Sequence, residues 1–347
     1  MRILPSGTRR VQSKSNYVEA PYDDINTALC IEAKYKNSDD PFDDFEPENP
    51  NSIFEAPSSG ARSTRGQLAM YADRQFQHQH RVFLFQVIIV GCWARLLYWD
   101  RSGAVVTKAF NLLVRPDILI KFLWRFAHAT KQQQGWDCSV NLATREERRI
   151  FIDATHKFAE DGTMNVPAHA AMELARNSRD PSYPVCRIKV AVDSEAGPHS
   201  SNNVSLYQEF LICSPLHVTC ATPGRGTRCY LAYDLCGGVF RFLKDTWWVS
   251  RSNRLSEMGI YSIFQERKMD HVLLPLCGGL VHDPSGNPQI TTEQKWIAIL
   301  GEDLAPRNAV TRRYEHGRLV QELACTLEGL RSSEELITVI RDVVKCE

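Results

Sequence analysis

Residues 224–248 read GRGTRCYLAYDLCGGVFRFLKDTWW, and the fold turns on them. Arg228–Asp234 and Val239–Asp245 are dense in aromatic and aliphatic residues. Leu235-Cys236-Gly237-Gly238 separates them, which predicts two strands joined by a glycine turn. Lys244 sits near the end of the second strand among apolar neighbours. Lysine is seldom buried unless its charge is paired. Glu257 offers the partner 13 residues later, near the start of a helix predicted over 255–267. An ion pair from strand to helix satisfies both charges in a low-dielectric cleft. Ahead of the first strand, Pro223-Gly224-Arg225-Gly226-Thr227 is a glycine-bearing turn, through which backbone N–H groups can approach an anion.

Working outward, extended and helical patterns follow one another. Downstream, the sequence predicts strands over 271–276 and 319–323 and a helix over 333–345. Ser332 or Ser333 would cap that helix, with Glu334 and Glu335 in its first turn, where the dipole favours negative charge. Upstream, strands are expected over 185–192 and 205–213, divided by the turn-rich DSEAGPHSSNN at 193–203, which marks a domain boundary. Helices are expected over 168–176, over 146–160 and over 117–129 behind Pro116. Another runs from Arg65 to about His80, where Leu68, Ala72 and Phe76 recur every four residues. Val82–Val90 reads as a buried strand, and Ala94–Trp99 with Ala104–Lys108 as a hairpin around Asp100-Arg101-Ser102-Gly103. ALCIEAK at 28–34 reads as a short strand. Residues 35–65, with the acidic run DDPFDDFEPE, read as a long mobile loop, and residues 1–18 as a disordered tail. The expected fold class is α+β, with a mixed α/β N-terminal domain over 19–200 and an antiparallel sheet plus one main helix within 201–347.

The wording of these segments is more specific than their spacing. GRGTRCYLAYD, FRFLKDTWW and SEMGIY resemble the start of the fungal-type protein kinase domain. That domain carries a Gly-Arg-Gly-Thr turn, a Leu-Lys-Asp-x-Trp strand and a Ser-Glu-x-x-x-Tyr helix. RRYEHGRLVQELACTLEGLRSSEELITVIRDVV is similar to the family's hinge and following helices. RGQLAMYADRQFQHQHRVFLFQVIIVGCWARLLYWDRSGAVVTKAF and PDILIKFLWRFAHATKQQQGWD are similar to its N-terminal portion, so the resemblance spans most of 20–347. It implies a protein-kinase-like small lobe, hinge and start of a large lobe over 201–347, with an ATP-binding fold of the protein Ser/Thr kinase kind. By that resemblance Lys244 is the phosphate-contacting lysine and Glu257 its helix partner. Gly224 and Gly226 shape the nucleotide turn, and Gln321, Glu322 and Leu323 fall where a hinge offers backbone groups to adenine. The turn is shorter than the general G-x-G-x-x-G.

A kinase also needs a His-Arg-Asp catalytic loop with a downstream Asn, and an Asp-Phe-Gly that holds magnesium. Neither string occurs in the 347 residues. The expectation is a truncated, pseudokinase-like chain that lacks most of the large lobe and has no catalytic residue of its own. Its ATP binding should be weak. Mg²⁺ binding is not expected, because that ion is held by carboxylates together with phosphates. Without a partner lobe, Leu336, Ile337, Val339, Ile340, Val343 and Val344 lose packing surface. The C-terminal helix is expected to expose an apolar patch for a protein partner.

The N-terminal part carries a second pattern. Glu32-Ala33-Lys34, with Asp23 or Asp24 upstream, resembles the core of restriction-endonuclease-like folds. Two carboxylates on adjacent strands would hold Mg²⁺ and the lysine would orient the attacking water. Gln67 on the next helix matches the order of that core. The alternative function is therefore a degenerate endonuclease-like domain, or a non-catalytic interaction module.

Composition sets outer bounds. Lys plus Arg number 41, as do Asp plus Glu, so net charge gives no argument for nucleic acid or a membrane surface as partner. No stretch approaches the roughly 18 apolar residues of a spanning helix, and the N-terminus has no apolar run for a secretory signal. The 11 cysteines include no C-x-x-C pair and read as reduced thiols, mostly small buried hydrophobes. No His/Cys cluster has zinc spacing. Together these features point to an intracellular protein.

Overall fold

The computed structural model describes residues 2–3, 26–44, 54–161, 166–192, 207–219, 223–250, 255–292, 312–324 and 332–345. The expectations for Asp23, Asp24, the 193–203 linker and most of the 1–18 tail lie outside the described residues. The chain divides into two compact units. The first takes Met1–Asp137, Cys220–Gly226 and Ile290–Tyr314, and the second Cys138–Thr219, Thr227–Gln289 and Glu315–Glu347.

The first unit is built on a mixed sheet. Its strands are β1 (Arg2–Ile3), β2 (Cys30–Lys34), β3 (Leu84–Val90), β4 (Trp93–Asp100), β5 (Gly103–Val106) and β6 (Phe110–Asn111). The order is β1-β2-β3-β4-β5, with β6 against β4. β2 runs parallel to β3, which demands a crossover, and α1 (Ser59–His78) supplies it. Ser58 caps α1 by accepting from the Ala61 N–H at 3.0 Å. α1 packs Leu68, Ala72 and Phe76 against Leu84, Ile88 and Leu97 on one sheet face. On the other face α2 (Pro116–His128) packs Leu119, Phe122 and Phe126 against Leu29, Ile31 and Val87. The result is helix, sheet, helix, each apolar face covered.

Two features here depart from the sequence reading. Residues 59–65, expected as loop, are the first turns of α1. In the acidic run, Asp40 and Asp44 hold the Arg95 guanidinium at 3.3 and 2.5 Å, and Phe42 is buried, stacked on Phe54. The buried Arg95 on β4 needs counter-charges, and the acidic run provides them.

The second unit is an antiparallel sheet with helices. Its strands are β7 (Val140–Leu142), β8 (Cys186–Ala191), β9 (Tyr207–Ile212), β10 (His217–Val218), β11 (Arg228–Asp234), β12 (Val239–Val249), β13 (Cys277–Leu280) and β14 (Tyr314–Gln321). Their order is β13-β14-β12-β11-β9-β8-β7, with β10 against β11. One face gathers Ile188, Phe210, Tyr230, Leu243 and Val320. The other packs Leu211, Leu231 and Phe240 against Phe151 and Phe158 of α3 (Arg145–Glu160) and Leu174 of α4 (Ala168–Asn177). A capping box between Thr144 and Glu147 starts α3.

The units part at Asp137–Cys138, so β7, α3, α4 and β8 belong to the second unit and not to an N-terminal domain ending at residue 200. Hydrogen-bonded pairing of β8 with β9 across the linker explains this. The strand expected over 271–276 is instead β13, Cys277–Leu280. Lys268 and His271 have φ of 50° and 62° after the helix, and Pro275 cannot donate to a ladder, so regular pairing starts beyond it. The last helix, α6 (Ser333–Lys345), follows α5 (Glu257–Glu266); Leu336, Ile337 and Ile340 on α6 are 41%, 65% and 53% exposed. Among the described residues no helix is long and apolar enough to cross a membrane. Cys30, Cys186, Cys213 and Cys277 are buried thiols outside any disulfide, and burial pushes the Cys213 thiol up to about 12.

Candidate functional site

β12 carries the candidate lysine. Its register with β11 pairs Cys229 with Lys244, Leu231 with Phe242 and Tyr233 with Phe240. Side chains alternate along a strand, so Lys244, Phe242 and Phe240 share one face. Lys244 Nζ donates to both carboxylate oxygens of Glu257, at 2.7 and 2.9 Å. Glu257 is the first residue of α5, held there by Ser256, whose hydroxyl accepts from the Gly259 N–H at 3.0 Å. A carboxylate in the first turn is favoured by the helix dipole. The side chains of Lys244 and Glu257 remain 27% and 31% exposed, so solvent or a ligand can reach the ammonium.

The opposite face of β12 is anchored by a buried charge cluster that sequence reasoning missed. Asp245 accepts from Arg228 Nη2 at 2.8 Å and from Arg318 Nε at 3.3 Å, and is bonded to His316 Nε2. His316 Nδ1 meets Gln289 Oε1 at 2.7 Å, and Trp247 stacks on the imidazole with ring centroids 4.5 Å apart. Burial alone would raise the Asp245 carboxyl, but His316, Arg318 and Arg228 outweigh it and hold it well below the usual carboxylate range. The signal was present: Arg228, Asp245, His316 and Arg318 are charged or titratable residues inside otherwise apolar strands, with His316 and Arg318 two apart and so on one face. The cluster ties β11, β12 and β14 together directly behind Lys244. Trp247 is buried, and Trp248 packs against Gly317, where any side chain would strike the indole.

The other expected site residues are distributed differently. Gly224 and Gly226 belong to the first unit. The Gly224 N–H donates to the Arg101 carbonyl at 3.0 Å. Gly226 has φ of 48°, and a Cβ there would meet the Arg101 guanidinium, which lies over the Phe76 ring. The absence of a side chain at Gly226 thus admits Arg101. Gln321 donates from Nε2 to the Leu273 carbonyl at 2.6 Å, Glu322 pairs with Arg241 at 3.2 Å, and Leu323 packs against the α3 side of the second core.

In the first unit, Glu32 and Lys34 share a face of β2 and form an ion pair at 2.7 Å. Lys34 Nζ also donates to Gln67 Oε1 at 2.6 Å. Glu32 is 2% exposed, and its Oε2 is buried without a well-formed hydrogen bond. Burial raises its carboxyl above the usual range, while Lys34 and the Tyr71 hydroxyl hold the rise back. Among the described residues no group of three or more His, Cys, Asp or Glu side chains is placed to hold a metal ion.

A family model described as fungal protein kinase matches residues 50–274, well over half of the chain. The chain belongs to the fungal protein kinase family. No curated protein and no solved structure matches it. In this fungal protein kinase family member the matched segment contains all of β11, β12 and α5, and with them Lys244, Glu257, Gly224 and Gly226. It stops ahead of β14, so Gln321, Glu322 and Leu323 lie outside it, as do Glu32 and Lys34. The mixed α+β architecture with two sheets agrees with a kinase-like fold.

Proposed function

We propose that the second unit is a kinase-like small lobe that binds ATP through Lys244, and that this 347-residue chain does not transfer the phosphoryl group by itself. The observation that carries the reading is the two-oxygen grip of Glu257 on the Lys244 ammonium, inside the segment that matches the family. A lysine so held presents a fixed, partly solvated positive charge at the end of an apolar strand, suited to phosphate oxygens. Catalysis of phosphoryl transfer is chiefly positioning and electrostatics, supplied by a base and by metal-holding carboxylates. The sequence contains neither His-Arg-Asp nor Asp-Phe-Gly to provide them. Without such carboxylates magnesium would reach the site only with the nucleotide, and binding is correspondingly weak.

Thermal unfolding of the full chain with ATP and Mg²⁺ tests this. Ligand at about 100 times Kd stabilises by about 2.7 kcal/mol, and the shift should vanish in Lys244→Ala. An unchanged melting temperature in wild type at millimolar ATP would overturn the binding reading. Transfer of labelled γ-phosphate that depends on Lys244 would overturn the inactivity.

A second reading, an endonuclease-like first unit, is favoured by the meeting of Glu32, Lys34 and Gln67. Mg²⁺-dependent cleavage of plasmid DNA, lost in Glu32→Gln, would support it; intact plasmid removes it.

A further inference from the structure

The two helices that flank the first sheet are buried to very different degrees. α1 carries seven buried residues. α2 has large apolar side chains at seven of its 13 positions, and none of them is buried. Leu119, Phe122, Leu123 and Phe126 pack toward the sheet. Ile120 and Trp124 lie four apart on one outer face of the helix, and each is 62% exposed. The loop that leads into the helix adds Leu113 and Val114, 83% and 72% exposed. Lys121 and Arg125 follow Ile120 and Trp124 by about 100° round the helix, and both are exposed. A cationic stripe therefore runs beside the apolar one. From Lys108 to Lys131 the chain carries five Lys or Arg and one acidic residue, Asp117, whereas the whole chain is balanced at 41 of each sign. Asp117 is engaged by Arg115 and Lys121, at 2.9 and 3.3 Å.

We propose that the outer face of α2, with Leu113 and Val114, docks on a lipid bilayer that carries anionic head groups. The helix lies along the surface and not across it. Its 13 residues span about 20 Å, short of the roughly 30 Å hydrocarbon core. Trp124 suits the boundary between head groups and acyl chains, because its ring is apolar and its indole N–H polar. Lys121 and Arg125 lay their stems along apolar surface and keep their charged heads among lipid phosphates. Charge decides between occupants. A second copy meeting this face about a two-fold axis would set Lys121 and Arg125 against the same residues of its partner. An anionic surface neutralises those cations and covers the apolar stripe at the same time. The reading is independent of ATP binding, since α2 belongs to the first unit and Lys244 to the second.

Co-sedimentation of the full chain with vesicles tests the assignment. One set is phosphatidylcholine alone, the other phosphatidylcholine and phosphatidylserine at about 3:1. Wild type should bind the anionic set at least about tenfold more strongly than the neutral set, and salt should release it. Each cation near an anionic surface contributes a factor of about five in partition. Lys121→Gln together with Arg125→Gln should therefore weaken binding about 25-fold. Trp124→Ser removes the largest exposed apolar side chain of the face and should weaken it about tenfold. All three positions are exposed, so both variants should melt as wild type does. Wild type that stays in solution with anionic vesicles, or binds both sets equally, would overturn the proposal. So would full binding retained by both variants, which would move the contact to another surface. Sedimentation velocity without lipid covers the other occupant. A dimer that Trp124→Ser splits into monomers would make this face an interface between copies and overturn the bilayer reading.

Discussion

Each unit of this protein contains a lysine–glutamate pair, and the two differ in ways that separate structure from function. Lys34 and Glu32 are two residues apart on one strand. Their carboxylate is almost fully enclosed, and one of its oxygens lacks a well-formed hydrogen bond. Lys244 and Glu257 are contributed by a strand and a helix, both carboxylate oxygens are engaged, and about a quarter to a third of each side chain meets solvent. Desolvation dominates the first pair, so removing a partner is costly. Solvent screens the second, so it contributes little to stability and remains open to a ligand. A pair that is cheap to break and accessible is the better candidate for phosphate recognition.

That contrast can be broken most directly by truncation. Glu32→Ala leaves the half-buried Lys34 ammonium with only Gln67 as its partner of the two and should cost up to about 3 kcal/mol in urea unfolding. A loss near zero would show that the two pairs are equivalent.

Titration sharpens the comparison further, with Asp245 standing behind Lys244. The folded-state carboxyl of Glu32 is raised by burial. Its contribution is fully present below the ordinary glutamate value of about 4.3 and is lost as pH rises through the raised folded value. The folded-state carboxyl of Asp245 is depressed by His316, Arg318 and Arg228 acting against burial. Its contribution is present above the unfolded value of about 3.9 and disappears as pH falls through the lower folded value. Urea midpoints measured across pH should therefore diverge. Wild type should lose ground to Glu32→Gln as pH rises, and its advantage over Asp245→Asn should shrink only at acid pH. Parallel curves for both variants would remove the distinction.

The smallest expected effect is on the stability of the open pair. Glu257→Ala should cost no more than about 1 kcal/mol, while lowering the response to ATP through a lysine no longer held in place.

Much of this architecture was readable before any fold was seen. The helix over 146–160 was legible as α3, and Pro116 marked the start of α2, because helical patterning and proline geometry act within a few residues. Gly237 and Gly238 mark the β11–β12 turn for the same reason. The lysine at a strand end and the glutamate in the next helix were likewise visible as an unpaired charge and its nearest counter-charge. The acidic run was not: Asp40 and Asp44 look like solvated loop until Arg95, more than fifty residues away, claims them. Nor was the closeness of Arg101 to Gly226 visible in the sequence, since the two are more than a hundred residues apart.

Local chemistry along the chain thus determined the helices, the hairpin, the family to which the chain belongs and the identities of Lys244 and Glu257. The meeting of that ammonium with that carboxylate, the convergence of Arg228, His316 and Arg318 on Asp245, and the placing of α3 opposite Phe240 were decided only by tertiary structure. Capping and turns depend on neighbours a few residues away, whereas a buried charge takes whichever partner packing delivers, and sequence distance carries no record of that.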